Sequence, residues 1–292
     1  MKVKYALFLG CLIPARALNY ELAARRVAQD LGIELLDIDE FGCCGFPVKN
    51  VDIKTALVMA ARNLYVAQER GLDICTLCPG CASFLSEANS ELRENERLRR
   101  EINAGLGRWN KRFRGSIKVK HFARILYEEI GSRRIEEKVG KDLSAFRVAC
   151  HYGCHYLKPA EVLDKFDDPE NPQSLECLVK NAGAQVVEYA DKNGCCGNVI
   201  MGINQDISLA MAKKKLDNIS RSKADALVIA CPACGLQLDT LQRSIEKDFG
   251  TNYELPVLYY PQLLGLAFGR EPRELGLDQN RVRVDTLLKK LS

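Results

Sequence analysis

The sequence has no apolar run long enough to cross a bilayer and no glycine-rich nucleotide fingerprint. Its net charge is small: 42 basic against 38 acidic side chains leave +4 over 292 residues. Each absence removes a class. Direct membrane insertion is not expected. Any flavin or nicotinamide chemistry belongs to another chain. The charge excess is too slight for nucleic acid, and no aromatics interleave with base-facing positives. An acidic partner or a small anionic substrate would suit it weakly. Lys2 and Lys4 ahead of the apolar stretch Tyr5–Cys11 look like the start of an export signal, but Pro14 and Arg16 break the stretch early. It serves better as a first buried strand, and a cytoplasmic location is expected.

What the chain does have is cysteine, thirteen in all. A secreted disulfide scaffold is shorter and lacks long helical patterns. An odd count arranged in adjacent pairs and Cys-x-x-Cys groups points instead to metal ligation in a reducing compartment.

Short apolar runs alternate with helical periods, and the alternation occurs twice. Strands are expected at Val3–Leu9, Ile33–Ile38 and Leu72–Leu77, with helices at Leu18–Leu31 and Lys54–Glu69 and one long charged helix from Ala82 to Asn103. A short strand and helix follow at Val119–Gly131. The pattern restarts with strands at Phe146–Cys150, Gln185–Tyr189 and Ala226–Ala230. Helices are expected near Ser208–Ser220 and Leu236–Lys247, and a strand and helix over 256–269 mirror 119–131. The expected fold class is α/β: two pseudo-symmetric βα half-domains with small parallel sheets. Residues 1–140 and 141–270 are the two halves, and 271–292 reads as a polar tail with a short terminal helix. The basic stretch Arg108–Arg114 reads as a solvated loop, and Lys213-Lys214-Lys215 as the wet face of a helix.

The cysteine motifs repeat with the elements. Gly42-Cys43-Cys44-Gly45 matches Gly194-Cys195-Cys196-Gly197, offset 195 − 43 = 152. Cys78-Pro79-Gly80-Cys81 matches Cys231-Pro232-Ala233-Cys234, offset 231 − 78 = 153. The lone Cys11 matches Cys154, offset 154 − 11 = 143. All fall at the C-terminal ends of expected strands, the edge of an open α/β sheet where loops converge and ligands bind. Each half thus gathers five thiols: Cys11, Cys43, Cys44, Cys78 and Cys81, then Cys154, Cys195, Cys196, Cys231 and Cys234. Three readings compete. Structural zinc takes four tetrahedral ligands, and two adjacent residues seldom both reach one small ion. Redox dithiols account for the Cys-x-x-Cys pairs but leave three cysteines per half unexplained. An iron–sulfur cluster has several metal atoms for neighbouring thiolates to share, and the donor set favours it. Four cysteines satisfy a cubane, so a fifth could bridge two irons or leave one able to accept an external sulfur. Cys75, Cys150 and Cys177 have no counterpart in the other half and read as structural thiols.

A lone Cys, a Cys-Cys-Gly and a Cys-Pro-x-Cys, all occurring twice, resemble the cysteine-rich "CCG" domain family. The opening Tyr5–Cys11 and the segment Cys150-His151-Tyr152-Gly153-Cys154-His155 look most like its branch of heterodisulfide reductase B subunits, and the likeness covers nearly the whole chain. The resemblance implies two noncubane [4Fe-4S] clusters, held by the ten cysteines above, facing each other across a cleft. There the mixed disulfide of coenzyme M and coenzyme B is reduced. It also implies a cubane iron–sulfur partner of the C-subunit type and a flavin partner of the A-subunit type. A small anionic disulfide calls for cations, for which Lys49 and Lys158 are candidates. His151 and His155, flanking Cys154, are candidates to protonate a leaving thiolate or to hydrogen-bond a cluster sulfur. His121 aligns with Tyr259 and reads as structural. A related protein serving sulfur oxidation or quinone and sulfur-carrier electron transfer, and a zinc-stabilised assembly protein, are the alternatives.

Overall fold

A computed structural model describes residues 3–108 and 110–291. Among the described residues, eight short strands form two four-stranded sheets, parallel throughout. The first contains β1 (Val3–Phe8), β2 (Ile33–Leu36), β3 (Ile74–Thr76) and β4 (Val119–His121), in the order β2-β1-β3-β4. The second contains β5 (Arg147–His151), β6 (Gln185–Val186), β7 (Ala226–Ile229) and β8 (Val257–Tyr259), in the order β6-β5-β7-β8. The two orders are the same, so the duplication read from the motifs is a duplication of topology. The central strands are buried along most of their length, as expected of parallel sheets covered by helices.

The crossover helices begin on matched signals. Asp52 caps the helix Ile53–Gln68 by accepting from the Thr55 N–H, and Asn204 caps Gln205–Arg221 by accepting from Ile207. Pro79 and Pro232 stand at the first helical position after extended Cys78 and Cys231, where a missing N–H costs nothing. Each Cys-Cys pair is followed by a glycine in the left-handed region, Gly45 at φ 98° and Gly197 at φ 91°. A Cβ at either would sit 2.6 Å from the carbonyl oxygen of Ala56 or Ser208. Only glycine lets the loop press onto the crossover helix there.

Three expectations need correction. The long charged helix over 82–103 is two helices, Pro79–Glu94 and Glu96–Gly107, because Asn95 turns extended and its side chain caps the second by accepting from Leu98. The segment after 270 is not a free polar tail. Leu275, Leu277, Val282, Val284 and Leu287 are buried, and Asn280 bonds Asn19 of the first half at 2.9 Å. Asp239 accepts from the backbone of Arg281 and Val282, fixing that segment to the second half. Lys213-Lys214-Lys215 is not uniformly a wet face: Lys215 is only 4% exposed. It falls on the buried stripe formed by Ala212, Leu216 and Ile219.

One core cluster spans both halves, and a second lies within the first half. Tyr20, from the helix Leu18–Asp30, stacks on Tyr259 at 4.2 Å between ring centres. The Tyr20 hydroxyl donates to the Ala230 carbonyl at 3.2 Å and lies 3.4 Å from His121 Nε2. His121 and Tyr259 end β4 and β8 as aligned, both buried, and His121 accepts from the Ala123 N–H to start the next helix. Its ring is held neutral, with a pKa lowered to about 4 by burial. Of the basic stretch 108–114, residues 110–114 form a loop as expected, though Phe113 is buried, and residue 109 lies outside the described residues.

Candidate metal centres

The strand ends deliver the cysteines into two groups, one per sheet. In the first, Cys44 Sγ lies 3.4 Å from Cys81 Sγ, and both are buried. Cys43 shares a hydrogen bond with Cys44 and feels the charge of Cys11, while Cys78 bonds Cys81. Four of the sulfurs thus form one continuous chain of contacts, with Cys11 near enough to act on Cys43 through its charge. In the second group Cys154 bonds Cys195, Cys195 bonds Cys196, Cys196 bonds Cys234 and Cys234 bonds Cys231. Cys11 and Cys154 are the exposed members, and the other eight are buried or half-buried. The two lone cysteines therefore face outward from each group.

Gly10 and Gly153 precede these lone cysteines with φ of 66° and 80°. A Cβ on Gly10 would lie 2.9 Å from Cys81 Sγ, and one on Gly153 would lie 3.2 Å from Cys231 Cβ. A side chain at either position would push the first loop away from the third. The Cys-Cys loops also offer backbone donors: Phe46 N–H to Cys44 Sγ at 3.5 Å and Gly197 N–H to Cys195 Sγ at 3.3 Å.

These contacts pool protons. The hydrogen bond from Cys43, with a second from Cys81, pulls the Cys44 thiol down to about 4. The bonds from Cys154 and Cys196 pull Cys195 down to about 2. The same bonds drive Cys43 and Cys154 up. Neighbouring thiols thus favour the thiolate form at Cys44 in one group and at Cys195 and Cys231 in the other, the form in which a cysteine ligates metal. The donor set fits a multi-metal cluster: five converging sulfurs exceed what one tetrahedral ion takes. A single ion would suit His151, Cys196 and Cys234, whose donor atoms all lie within 4.8 Å of one another, but it would leave Cys154, Cys195 and Cys231 unused.

The remaining expected residues divide. His151 is buried, its Nε2 3.3 Å from Cys234 Sγ and its Nδ1 3.5 Å from the Lys192 carbonyl. Burial lowers its pKa to about 3, so the ring is neutral. His155 is half-buried, with Nδ1 3.2 Å from Cys154 Sγ and its ring edge-on to Phe46 at 4.7 Å. Lys49 and Lys158, from opposite halves, meet at one cleft of about 310 Å³ together with Phe46, Ser83, Glu87, Cys154 and His155. Lys49 pairs with Glu87 at 2.6 Å and Lys158 with Glu170 at 2.9 Å. Ser83 Oγ, 3.3 Å from the Lys158 carbonyl, ties the two walls together. Cys75 and Cys150 lie inside β3 and β5 and burial pushes both thiols up, while Cys177 is half-buried on the helix Ser174–Asn181. None of these three joins either group. Sequence reasoning missed Lys215, whose Nζ donates to the carbonyls of Asp191 and Lys192 at 3.0 and 3.3 Å, directly behind the Cys195–Cys196 loop. Its position on an apolar helical stripe was the available signal.

A duplicated α/β protein with a five-thiol pocket at the end of each sheet is the class that this fold and these sites define. The family model "Cysteine-rich domain" (CCG) matches residues 5–86 and 148–239. The chain belongs to that family. It is 38% identical over 292 residues to the B subunit of the ferredoxin:CoB-CoM heterodisulfide reductase of Methanosarcina mazei, covering 99% of this chain and 97% of that one. It is 34% identical to the 8-methylmenaquinol:fumarate reductase membrane anchor subunit of Wolinella succinogenes, covering 96% and 97%. Among solved structures, a hypothetical protein from Helicobacter pylori shares the fold with a TM-score of 0.76 at 16% identity, over 97% of this chain and 54% of that chain. Among the described residues no helix is long and apolar enough to cross a membrane.

Proposed function

We propose that this chain is the iron–sulfur catalytic subunit of a heterodisulfide reductase, reducing the coenzyme M–coenzyme B disulfide to two thiols. The observation that carries the reading is the cleft of about 310 Å³ in which an exposed cysteine of one five-thiol group meets cations from both halves. Relatives named as heterodisulfide reductase subunits support it. Two [4Fe-4S] clusters of noncubane type, held by the two groups of five cysteines, would supply the two electrons that a disulfide needs, one from each.

The chain's own residues bind and protonate. Lys49 and Lys158 lie on opposite walls and exchange their glutamate partners for the anionic ends of the substrate. His155, beside Cys154 at the cleft wall, passes a proton from solvent to a product thiolate. His151 is too buried for that exchange and instead orients Cys234. Phe46 and the ring of His155 shed water from the cleft. Electrons reach the chain from a cubane iron–sulfur partner, which a flavin partner supplies in turn, in keeping with relatives named as members of multi-subunit reductases. The complex works in the cytoplasm.

A second reading keeps the clusters and changes the substrate to a quinone-linked or sulfur-carrier couple, and the relative named for 8-methylmenaquinol:fumarate reductase favours it. Anaerobic EPR separates the two. The heterodisulfide should generate a new paramagnetic signal in oxidised protein, and iron analysis should give about four irons per pocket. Full iron content with no response to the heterodisulfide would pass the assignment to the second reading. Zinc in place of iron would remove both.

A further inference from the structure

The two pockets share ligands and topology, but their walls differ in one consistent direction. The offset that pairs the Cys-Cys loops, 152, also pairs Asn63 with Lys215, since 215 − 63 = 152. Both side chains are buried, both sit on the crossover helix, and both hold the Cys-Cys loop. Asn63 does so as a neutral amide, accepting from the Gly42 N–H at 3.0 Å and donating to the Cys43 carbonyl at 2.9 Å. Lys215 does so as an amine bonded to two carbonyls, with Cys234, Cys196 and Cys195 near enough to act on its charge.

The strand ends repeat the contrast. Phe8 and His151 are the last residues of β1 and β5, offset 151 − 8 = 143, as for the lone cysteines. Phe8 packs edge-on against Phe41 at 5.0 Å, in the same buried cluster as Cys44 and Cys81. His151 instead brings a ring nitrogen to Cys234 Sγ. Two further positions follow suit. Phe84 corresponds to Gln237, offset 237 − 84 = 153, and both are buried. Gln237 donates to Ser208, while its Oε1 has no partner. Phe46 corresponds to Asn198, offset 198 − 46 = 152. At these four positions the first half places Phe8, Phe46, Phe84 and the neutral amide of Asn63, and the second places His151, Asn198, Gln237 and the amine of Lys215.

Resting on the iron–sulfur reading above, we propose that the two centres stand at different reduction potentials, the Cys154 pocket the higher, because Lys215 and His151 stabilise added negative charge there while Asn63 and Phe8 do not. Reduction puts one electron on a centre. A nearby cation and hydrogen bonds to ligand sulfur favour the reduced form, and an apolar wall disfavours it. Under partial reduction the electron resides in the second half, and the first half passes it on.

The test is an EPR-monitored dithionite titration of the anaerobically prepared full chain with redox mediators. Two steps are expected. Cys196→Ser should abolish the upper one and Cys44→Ser the lower. Lys215→Asn, which installs the first half's residue, should shift the upper step down by at least tenfold in the oxidised-to-reduced ratio, about 59 mV for one electron. Lys215→Arg should retain it, and the lower step should stay in place throughout. His151→Phe should move the same step in the same direction, and it supplies the result if Lys215→Asn does not fold. Coincident steps, a reversed assignment, or an upper step indifferent to both substitutions would overturn the asymmetry while leaving the clusters intact. A chain without iron would overturn the functional reading itself.

Discussion

Cys44 and Cys81 are 37 residues apart in the chain, yet their sulfurs stand 3.4 Å from each other, joining the loop after β2 to the helix after β3. Cys196 and Cys234 make the equivalent contact in the second half. Because each group is closed within its own sheet, Cys44→Ser should lose iron from the first half alone. On the proposed reading of one [4Fe-4S] cluster per group, total iron would fall by about half. Inductively coupled plasma analysis beside EPR checks this, and equal loss from both halves would argue against independent sites.

Gly45 and Gly197 tolerate no side chain. Alanine at either must hold φ above 90° and push a Cβ against a backbone carbonyl 2.6 Å away. Gly45→Ala should cost about 1–3 kcal/mol, with Gly197→Ala similar. Denaturant unfolding of the metal-free chain measures it. A change within experimental error would show that the loop can lift off its helix.

On the proposed reading Lys49 and Lys158 capture substrate by ground-state binding, so their removal should raise KM more than it lowers kcat. Each Lys→Ala change should weaken binding by roughly tenfold, about 1.4 kcal/mol. The difference from wild type should shrink as salt rises, because both amines are partly exposed. Steady-state kinetics at two ionic strengths tests it; a loss confined to kcat would assign the lysines another role.

The C-terminal segment is tied down through Asp239, whose two carboxylate oxygens accept from Val282 and Arg281. Asp239→Ala leaves those N–H groups without partners and should cost about 1–3 kcal/mol. Limited proteolysis should then cut within 281–291 at protease levels that spare the wild type. Unchanged resistance would mean that Leu275, Leu277 and Leu287 hold the segment unaided.

Burial of that segment was hard to read from sequence. Its apolar residues are isolated among Glu, Arg, Asp and Lys, with no helical or strand period. Only the surfaces it covers, Gly265 beneath Leu275 and Asn19 beside Gly276, make those side chains core residues. Asn95 was legible in principle, because Asn before a glutamate-led turn is a cap signal, but the charged pattern ran through it.

The duplication, the parallel α/β order and the identity of ten paired cysteines were all legible in the amino-acid order. These rest on local chemistry: strand-length apolar runs, caps, prolines at helix starts, and thiols in repeated short motifs. Packing alone settled which cysteines touch, that Lys49 and Lys158 share one cleft, and that Lys215 lies buried behind a Cys-Cys loop. Those relations join segments dozens of residues apart or across the two halves. The distance between such groups depends on how sheets and helices pack, and no local pattern encodes it.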